Sequence, residues 1–129
     1  MKLLLIALGG ALGALARYAL SGLVYAWLGP AFPWGTLVVN LTGCYGLGLL
    51  WALSEAVPLP TPIPPLVFVG FFGAFTTFST YGLESFNLLR DGELVLGLLN
   101  LLGSSLAGLL CVALGFLTAR LLLHLGGMP

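Results

Sequence analysis

Gly70-Phe71-Phe72-Gly73-Ala74-Phe75-Thr76-Thr77-Phe78-Ser79-Thr80-Tyr81-Gly82 sits inside a run, residues 56–83, that contains no Asp, Glu, Lys or Arg. Such a run has no charged face to turn toward water, so its reading decides the fold. A helix needs roughly 20 predominantly apolar residues to cross a bilayer and a strand about half as many, and the length here fits a helix. Thr76 and Thr77 fall at its middle, flanked by glycine. Ser and Thr compete for backbone hydrogen bonds and Gly costs about 1 kcal/mol relative to Ala, so the centre is poor helix material. Two readings follow. In one the helix breaks at mid-membrane, where freed carbonyls line a cavity or hold a cation such as Na⁺. In the other it runs on unbroken, with the hydroxyls bonded to carbonyls one turn back.

Working outward, residues 3–16, 18–54 and 94–119 are also free of charge. The 129 residues are 60% hydrophobic and 6% charged, with four Lys/Arg and four Asp/Glu, whereas a soluble domain carries about 25% charged residues. A water-facing surface, an acidic tail, a basic patch and a nucleic-acid footprint are all excluded by this composition. The solvent is a lipid bilayer. Gly29, Pro30 and Pro33 break the second run, and Pro58, Pro60, Pro62, Pro64 and Pro65 form a connector that no helix crosses. Arg90, Asp91 and Gly92 mark the last turn. The chain is therefore read as an all-α membrane protein, one domain over residues 1–129, with four transmembrane helices near 3–28, 35–57, 66–89 and 93–125.

Ala14-Leu15-Ala16 after Lys2 and an apolar stretch has the form of a signal-peptide cleavage site, but the apolar pattern resumes at Tyr18 and reaches Leu28, which makes a span. Cys44 and Cys111 fall inside apolar segments and read as small hydrophobes. No metal-ligand spacing and no nucleophile, P-loop or zinc-protease motif occurs, and His124 stands alone near the end of the last segment. Lys2 and Arg120 lie toward the side of the termini and Arg90 on the other, a weak positive-inside instruction that would permit insertion either way round and hence an antiparallel dimer of identical chains. The nineteen glycines, about twice the usual fraction of roughly 7%, recur at helical intervals, with Gly9 and Gly13 as a GxxxG pair and Gly97, Ser104, Gly108 and Gly115 on one face beside Asn100. Small residues on a face let helices approach closely, the main route to association in lipid.

Polar residues inside spans normally face a cavity or a partner. Asn40, Asn100 with Ser104 and Ser105, and the Thr76–Thr77 cluster are the three such groups. Glu84, Arg90 and Asp91 read as solvated turn charges.

The residues Gly9 to Tyr18 (Gly-Gly-Ala-Leu-Gly-Ala-Leu-Ala-Arg-Tyr), Gly35 to Gly43 ending Val-Asn-Leu-Thr-Gly, and Gly73 to Tyr81 with Thr-Thr-Phe-Ser-Thr together resemble the Fluc (CrcB) fluoride channels, over all four segments and in the same order. The resemblance implies a dual-topology, antiparallel homodimer with two fluoride pores and one structural Na⁺ at the dimer centre, in the inner (plasma) membrane of a prokaryote, where F⁻ leaves passively and cytoplasmic fluoride toxicity falls. Carried over to this chain, Gly73 and Thr76 match the positions whose backbone carbonyls hold the Na⁺. Phe78 matches the first phenylalanine of the aromatic box, and Tyr81 stands where the family usually has the second. Asn40 matches the pore asparagine, Ser79, Thr80 and Ser104 match a hydroxyl-lined track, and Arg17 falls near a vestibule mouth or snorkels to the headgroups. Cys44 and Tyr45 replace what is commonly Ser and Phe.

These residue types suit the implied ion. Fluoride is small and strongly hydrated, so stripping its water demands dense donors or positive electrostatics. Ring edges carry the positive lobe of the aromatic quadrupole, and amide and hydroxyl groups donate without adding a fixed charge that would trap the ion. Two rivals share the architecture. A small dual-topology four-helix multidrug exporter needs a carboxylate at the membrane centre, and Glu55 and Glu84 lie near segment ends. A non-transporting structural subunit needs neither a pore asparagine nor a mid-membrane hydroxyl cluster. No residues support an enzyme.

Overall fold

The computed structural model describes residues 1–126. It is all helical among those residues, with four helices long and apolar enough to cross a membrane. Helix α1 is Lys2–Leu28 and α2 is Trp34–Ala56. The third span, Pro65–Arg90, contains α3 (residues 65–75) and α4 (Phe78–Arg90), and the fourth is α5, Leu94–Leu125.

The turns fall where the chain chemistry sets them. Gly29 takes φ +74° and closes α1 with its N–H on the Tyr25 carbonyl at 2.9 Å, a left-handed conformation that glycine adopts without steric cost. Gly92, at φ +86°, does the same between α4 and α5. Pro65 opens α3, where its missing N–H removes no helical bond. Two stretches, Pro65–Phe72 and Leu99–Gly103, are wound as wider π-turns, a form that recurs at functional sites.

Packing is inverted relative to a soluble domain. Leucines cover the outside, while the buried positions include Val39, Ala52, Ala119, Thr36, Ser85 and Asn100. Lipid gives no drive to bury leucine between helices, so close backbone approach takes its place. Gly9 and Gly13 are buried against α3, where an added methyl would strike the carbonyls of Leu66 and Phe71. Helices α2 and α5 lie along each other in the same manner, Gly48 against the Val112 carbonyl and Gly115 against the Tyr45 carbonyl. The resulting bundle seats the first half of the third span on α1 and the second half on α5, with α2 beside the step between them.

Candidate functional site

Helical backbone stops at Phe75 and resumes at Phe78. Thr76 (φ −77°, ψ 158°) and Thr77 (φ −146°, ψ 119°) are extended. The Asn40 side chain on α2 serves the peptide groups of this step. Its Nδ2 donates to the Thr77 carbonyl at 3.0 Å and its Oδ1 accepts from the Thr77 N–H at 2.8 Å. Thr77 in turn caps α4, its Oγ1 accepting from the Thr80 N–H at 3.3 Å and donating to Thr80 Oγ1 at 2.9 Å. The Thr76 hydroxyl donates back to the Phe72 carbonyl at 2.9 Å.

These bonds redirect two donors. In a continuing helix the Thr77 N–H would return to the Gly73 carbonyl and the Thr80 N–H to the Thr76 carbonyl. Here the first goes to Asn40 and the second to the Thr77 hydroxyl. The carbonyls of Gly73 and Thr76 are thereby released, at the negative end of the α3 dipole. Neutral oxygens at such an end are the donor set a hard monovalent cation takes. Gly73 is exposed, and a methyl there would meet only the Phe68 carbonyl, at 3.9 Å.

A cavity of about 430 Å³ opens beside the step, lined by Asn40, Gly43, Cys44, Thr76, Thr77, Phe78, Tyr81, Ser104 and Ser105 among others. Gly43 is small because the Thr76 methyl and the Phe75 ring occupy the space a side chain would need. The Phe78 and Tyr81 rings are 5.6 Å apart at 49°, and Phe78 is 84% exposed, facing away from its own bundle. The Tyr81 hydroxyl is held by α5, donating to the Leu101 carbonyl at 2.8 Å and lying 3.1 Å from Ser105 Oγ. Ser104 donates to Asn100 Oδ1 at 3.0 Å, Asn100 Nδ2 to Ser85 Oγ at 2.8 Å, and Ser85 to the Tyr81 carbonyl at 2.8 Å. This chain of bonds ties α5 to the turn that carries both rings.

A second, smaller pocket of about 170 Å³ lies on the α1 side, lined by Arg17, Ser21, Tyr25, Thr36, Val39, Thr77, Thr80 and Glu84. Thr77 borders both spaces. Of the residues singled out from sequence, Asn40, Thr76, Phe78, Tyr81 and Ser104 are brought together in the larger space and Arg17 and Thr80 in the smaller. Ser79 is exposed in the first turn of α4 and lines neither.

One expectation is corrected. Glu84, near the end of the third span as expected, is not a solvated turn charge. It lies within α4, part-buried, where its Oε1 accepts from Thr36 Oγ1 at 2.8 Å and Tyr25 Oη at 3.0 Å. Its Oε2 is buried with no partner among the described residues. The Arg90 and Asp91 charges are exposed and, among the described residues, pair only with each other, at 3.0 Å. Sequence reading missed Tyr25, Thr36, Glu84 and Ser85 as members of these networks. The available signal was the lone carboxylate more than a turn inside a span, which in a membrane calls for a partner.

The family model described as "CrcB-like protein, Camphor Resistance (CrcB)" matches residues 4–116 of this chain. A protein of Magnetococcus marinus named fluoride-specific ion channel FluC is 53% identical over 123 residues, covering 95% of this chain and 100% of that protein. The proteins of the same name from Nitrosococcus oceani and Salinibacter ruber are 51% and 50% identical, over 94% and 89% of this chain and 98% and 86% of their own lengths.

Proposed function

The chain belongs to the CrcB-like family, and from that membership we propose that it is a fluoride-selective ion channel through which F⁻ leaves the cell passively. The relatives are named as ion channels, a non-enzymatic class, and the chain is a multi-pass membrane protein by its four spans. In this reading it resides in the inner (plasma) membrane of a prokaryote, and the negative-inside potential drives fluoride outward, lowering cytoplasmic fluoride toxicity.

The observation that carries the reading is the larger cavity at the Thr76–Thr77 step, which gathers amide, hydroxyl and ring-edge groups with no Lys or Arg among its lining residues. A desolvated fluoride needs many weak donors rather than one strong charge, because conduction requires release as well as binding. Phe78 and Tyr81 would present ring edges. Asn40, with one amide hydrogen engaged by Thr77, keeps the second for the ion. Ser104 is held by Asn100 at the wall of the same space. Arg17 and Thr80 would serve the mouth, where a single cation attracts the anion without sitting in its narrowest path.

Assembly is the finer part of the proposal. Phe78, Ser79 and Gly73 face outward from a single chain, as they would if a second, antiparallel copy covered them. The break at mid-membrane belongs to this reading too, with the released Gly73 and Thr76 carbonyls of each copy turned to a shared Na⁺. When bound, such an ion supplies a central positive charge that offsets the carbonyl dipoles of both chains. The weak Lys/Arg bias supports insertion in both orientations.

Fluoride efflux from liposomes loaded with KF, with a K⁺ ionophore present so that the cation leaves with the anion, against a parallel KCl loading, tests the function. Rapid fluoride release with chloride retained is expected. Equal release of both halides, or of neither, overturns the proposal.

A further inference from the structure

The smaller pocket holds a cation and a carboxylate that do not pair. Arg17 and Glu84 both line it, yet the only ion pair among the described residues joins Arg90 and Asp91. Three features of Tyr25 bear on this. Arg17, Ser21 and Tyr25 recur at four-residue spacing and so share one face of α1. The Tyr25 ring is seated over Gly35, where an added methyl would come within 2.7 Å of Tyr25 Cδ2 and 2.9 Å of the Ser21 carbonyl. Its hydroxyl then reaches across to α4 and donates to Glu84 Oε1, alongside Thr36.

Resting on the channel reading above, we infer that Tyr25 is a positioning residue for the mouth of the anion pathway, holding the Glu84 carboxylate away from Arg17. The long Glu side chain has several rotamers available. Two hydroxyl donors on one oxygen select one of them and draw part of the negative charge toward the α1–α2 side. With Thr36 alone the carboxylate regains freedom, and Arg17 is the cationic side chain nearest to hand in the same small space. An Arg17–Glu84 pair would consume the one positive charge lining the pocket and set a fixed negative charge across the route of an incoming anion. Burial strengthens that pairing, because the pocket is screened less than open water.

Tyr25→Phe keeps the ring over Gly35 and deletes only the hydroxyl. Fluoride flux is measured against fluoride concentration for the wild type, Tyr25→Phe, Glu84→Gln and the double variant. Tyr25→Phe is expected to raise half-saturating fluoride about tenfold or more, the size of one lost hydrogen bond to a charged group, with the maximal rate nearly unchanged. In the Glu84→Gln background, where no ion pair can form, the same substitution should shift nothing. An equal shift in both backgrounds, or none in either, overturns the assignment, since a packing role is indifferent to the charge on residue 84. A second measurement does not depend on flux. Phenylglyoxal modification of Arg17, read by peptide mass spectrometry against exposed Arg90, should slow in Tyr25→Phe and recover in the double variant. Unchanged Arg17 reactivity overturns the assignment even if the wild type conducts fluoride, whereas a wild type that conducts none contradicts the channel reading and leaves the reactivity test in force.

Discussion

Asn40 closes a two-bond ring on the backbone of Thr77, donating to its carbonyl at 3.0 Å and accepting from its N–H at 2.8 Å. An amide side chain carries a donor and an acceptor on separate atoms, side by side, and so can serve the N–H and the carbonyl of one residue at once, which is why an asparagine on α2 can hold two extended residues in the midst of a helical span. The pairing also decides where the freed carbonyls are. Because Thr77 donates sideways, Gly73 loses its helical partner, and the capping bond to Thr80 does the same for Thr76.

Asn40→Ala leaves the Thr77 N–H and carbonyl without their partner, a cost of about 1–3 kcal/mol for each group that stays buried and unpaired. The chain can relieve part of it by returning the N–H to Gly73, which re-forms a helical bond and removes a carbonyl from the proposed Na⁺ set. Thermal stability in detergent should fall, fluoride flux should collapse, and any stabilisation by Na⁺ over K⁺ should disappear. Asn40→Asp keeps the acceptor but loses the donor and adds a negative charge beside the anion path, so it should conduct no better than the alanine variant. Wild-type flux and Na⁺ response in Asn40→Ala would show that the step forms without this side chain.

Gly73→Val separates effects within one chain from effects between copies. The first carbon of a side chain at Gly73 finds only the Phe68 carbonyl, at 3.9 Å, so Gly73→Ala alongside checks that the chain itself has room. Loss of the dimer or of flux therefore reports a second copy, or an ion, across from Gly73. Size-exclusion chromatography with light scattering should show a shift from dimer toward monomer, whereas Thr76→Ser, which leaves the backbone carbonyl in place, should stay dimeric and conducting. A dimeric Gly73→Val with normal Na⁺-dependent flux removes Gly73 from the proposed site.

The four spans were legible because lipid tolerates so little. Charge-free length and proline breaks leave few alternatives, and the Gly9/Gly13 pair announces a close approach that the backbone of α3 fulfils. Asn40 and the Thr76–Thr77 cluster stood out because polar groups inside a span need a reason. The network around Glu84 did not, since its partners Tyr25 and Thr36 lie 59 and 48 residues away in the chain and the spacing along one helix does not say which other helix its face meets. Ser79 was singled out by the resemblance and not by its surroundings, and within one chain it is exposed in the first turn of α4 while its neighbour Thr80 lines the smaller pocket.

Orientation is tested by labelling. With Lys and Arg nearly balanced between the two sides, a single cysteine added at the N-terminus, in a background with Cys44 and Cys111 replaced by serine, should react with a membrane-impermeant maleimide from both faces of the host membrane. Two or three added lysines at one terminus should lock the chain one way round. Flux should then require co-expression of oppositely locked versions. Full activity from either locked version alone contradicts an antiparallel pair.

Phe78 and Tyr81 differ in what their rings are attached to, and the difference sets two unlike outcomes. Phe78 is 84% exposed and has no polar handle, so its value to an anion lies in the positive ring edge. Phe78→Ile retains bulk and apolarity but abolishes the quadrupole, and fluoride flux should fall by about tenfold or more while the protein still folds and purifies as the wild type does. Tyr81 carries a hydroxyl, but α5 has claimed it. It donates to the Leu101 carbonyl at 2.8 Å beside Ser105 Oγ, which donates to the same carbonyl. Tyr81→Phe therefore leaves that carbonyl with one donor, costs about 0.5–1 kcal/mol of stability, and should change flux less than twofold, because the ring edge stays where it is. A large loss of flux in Tyr81→Phe at unchanged stability would mean that the hydroxyl leaves Leu101 to meet the anion. Normal flux in Phe78→Ile would refute ring-edge coordination by Phe78 whichever way Tyr81 behaves, and would leave the second amide hydrogen of Asn40 as the donor to the ion, since the Ser104 hydroxyl is committed to Asn100.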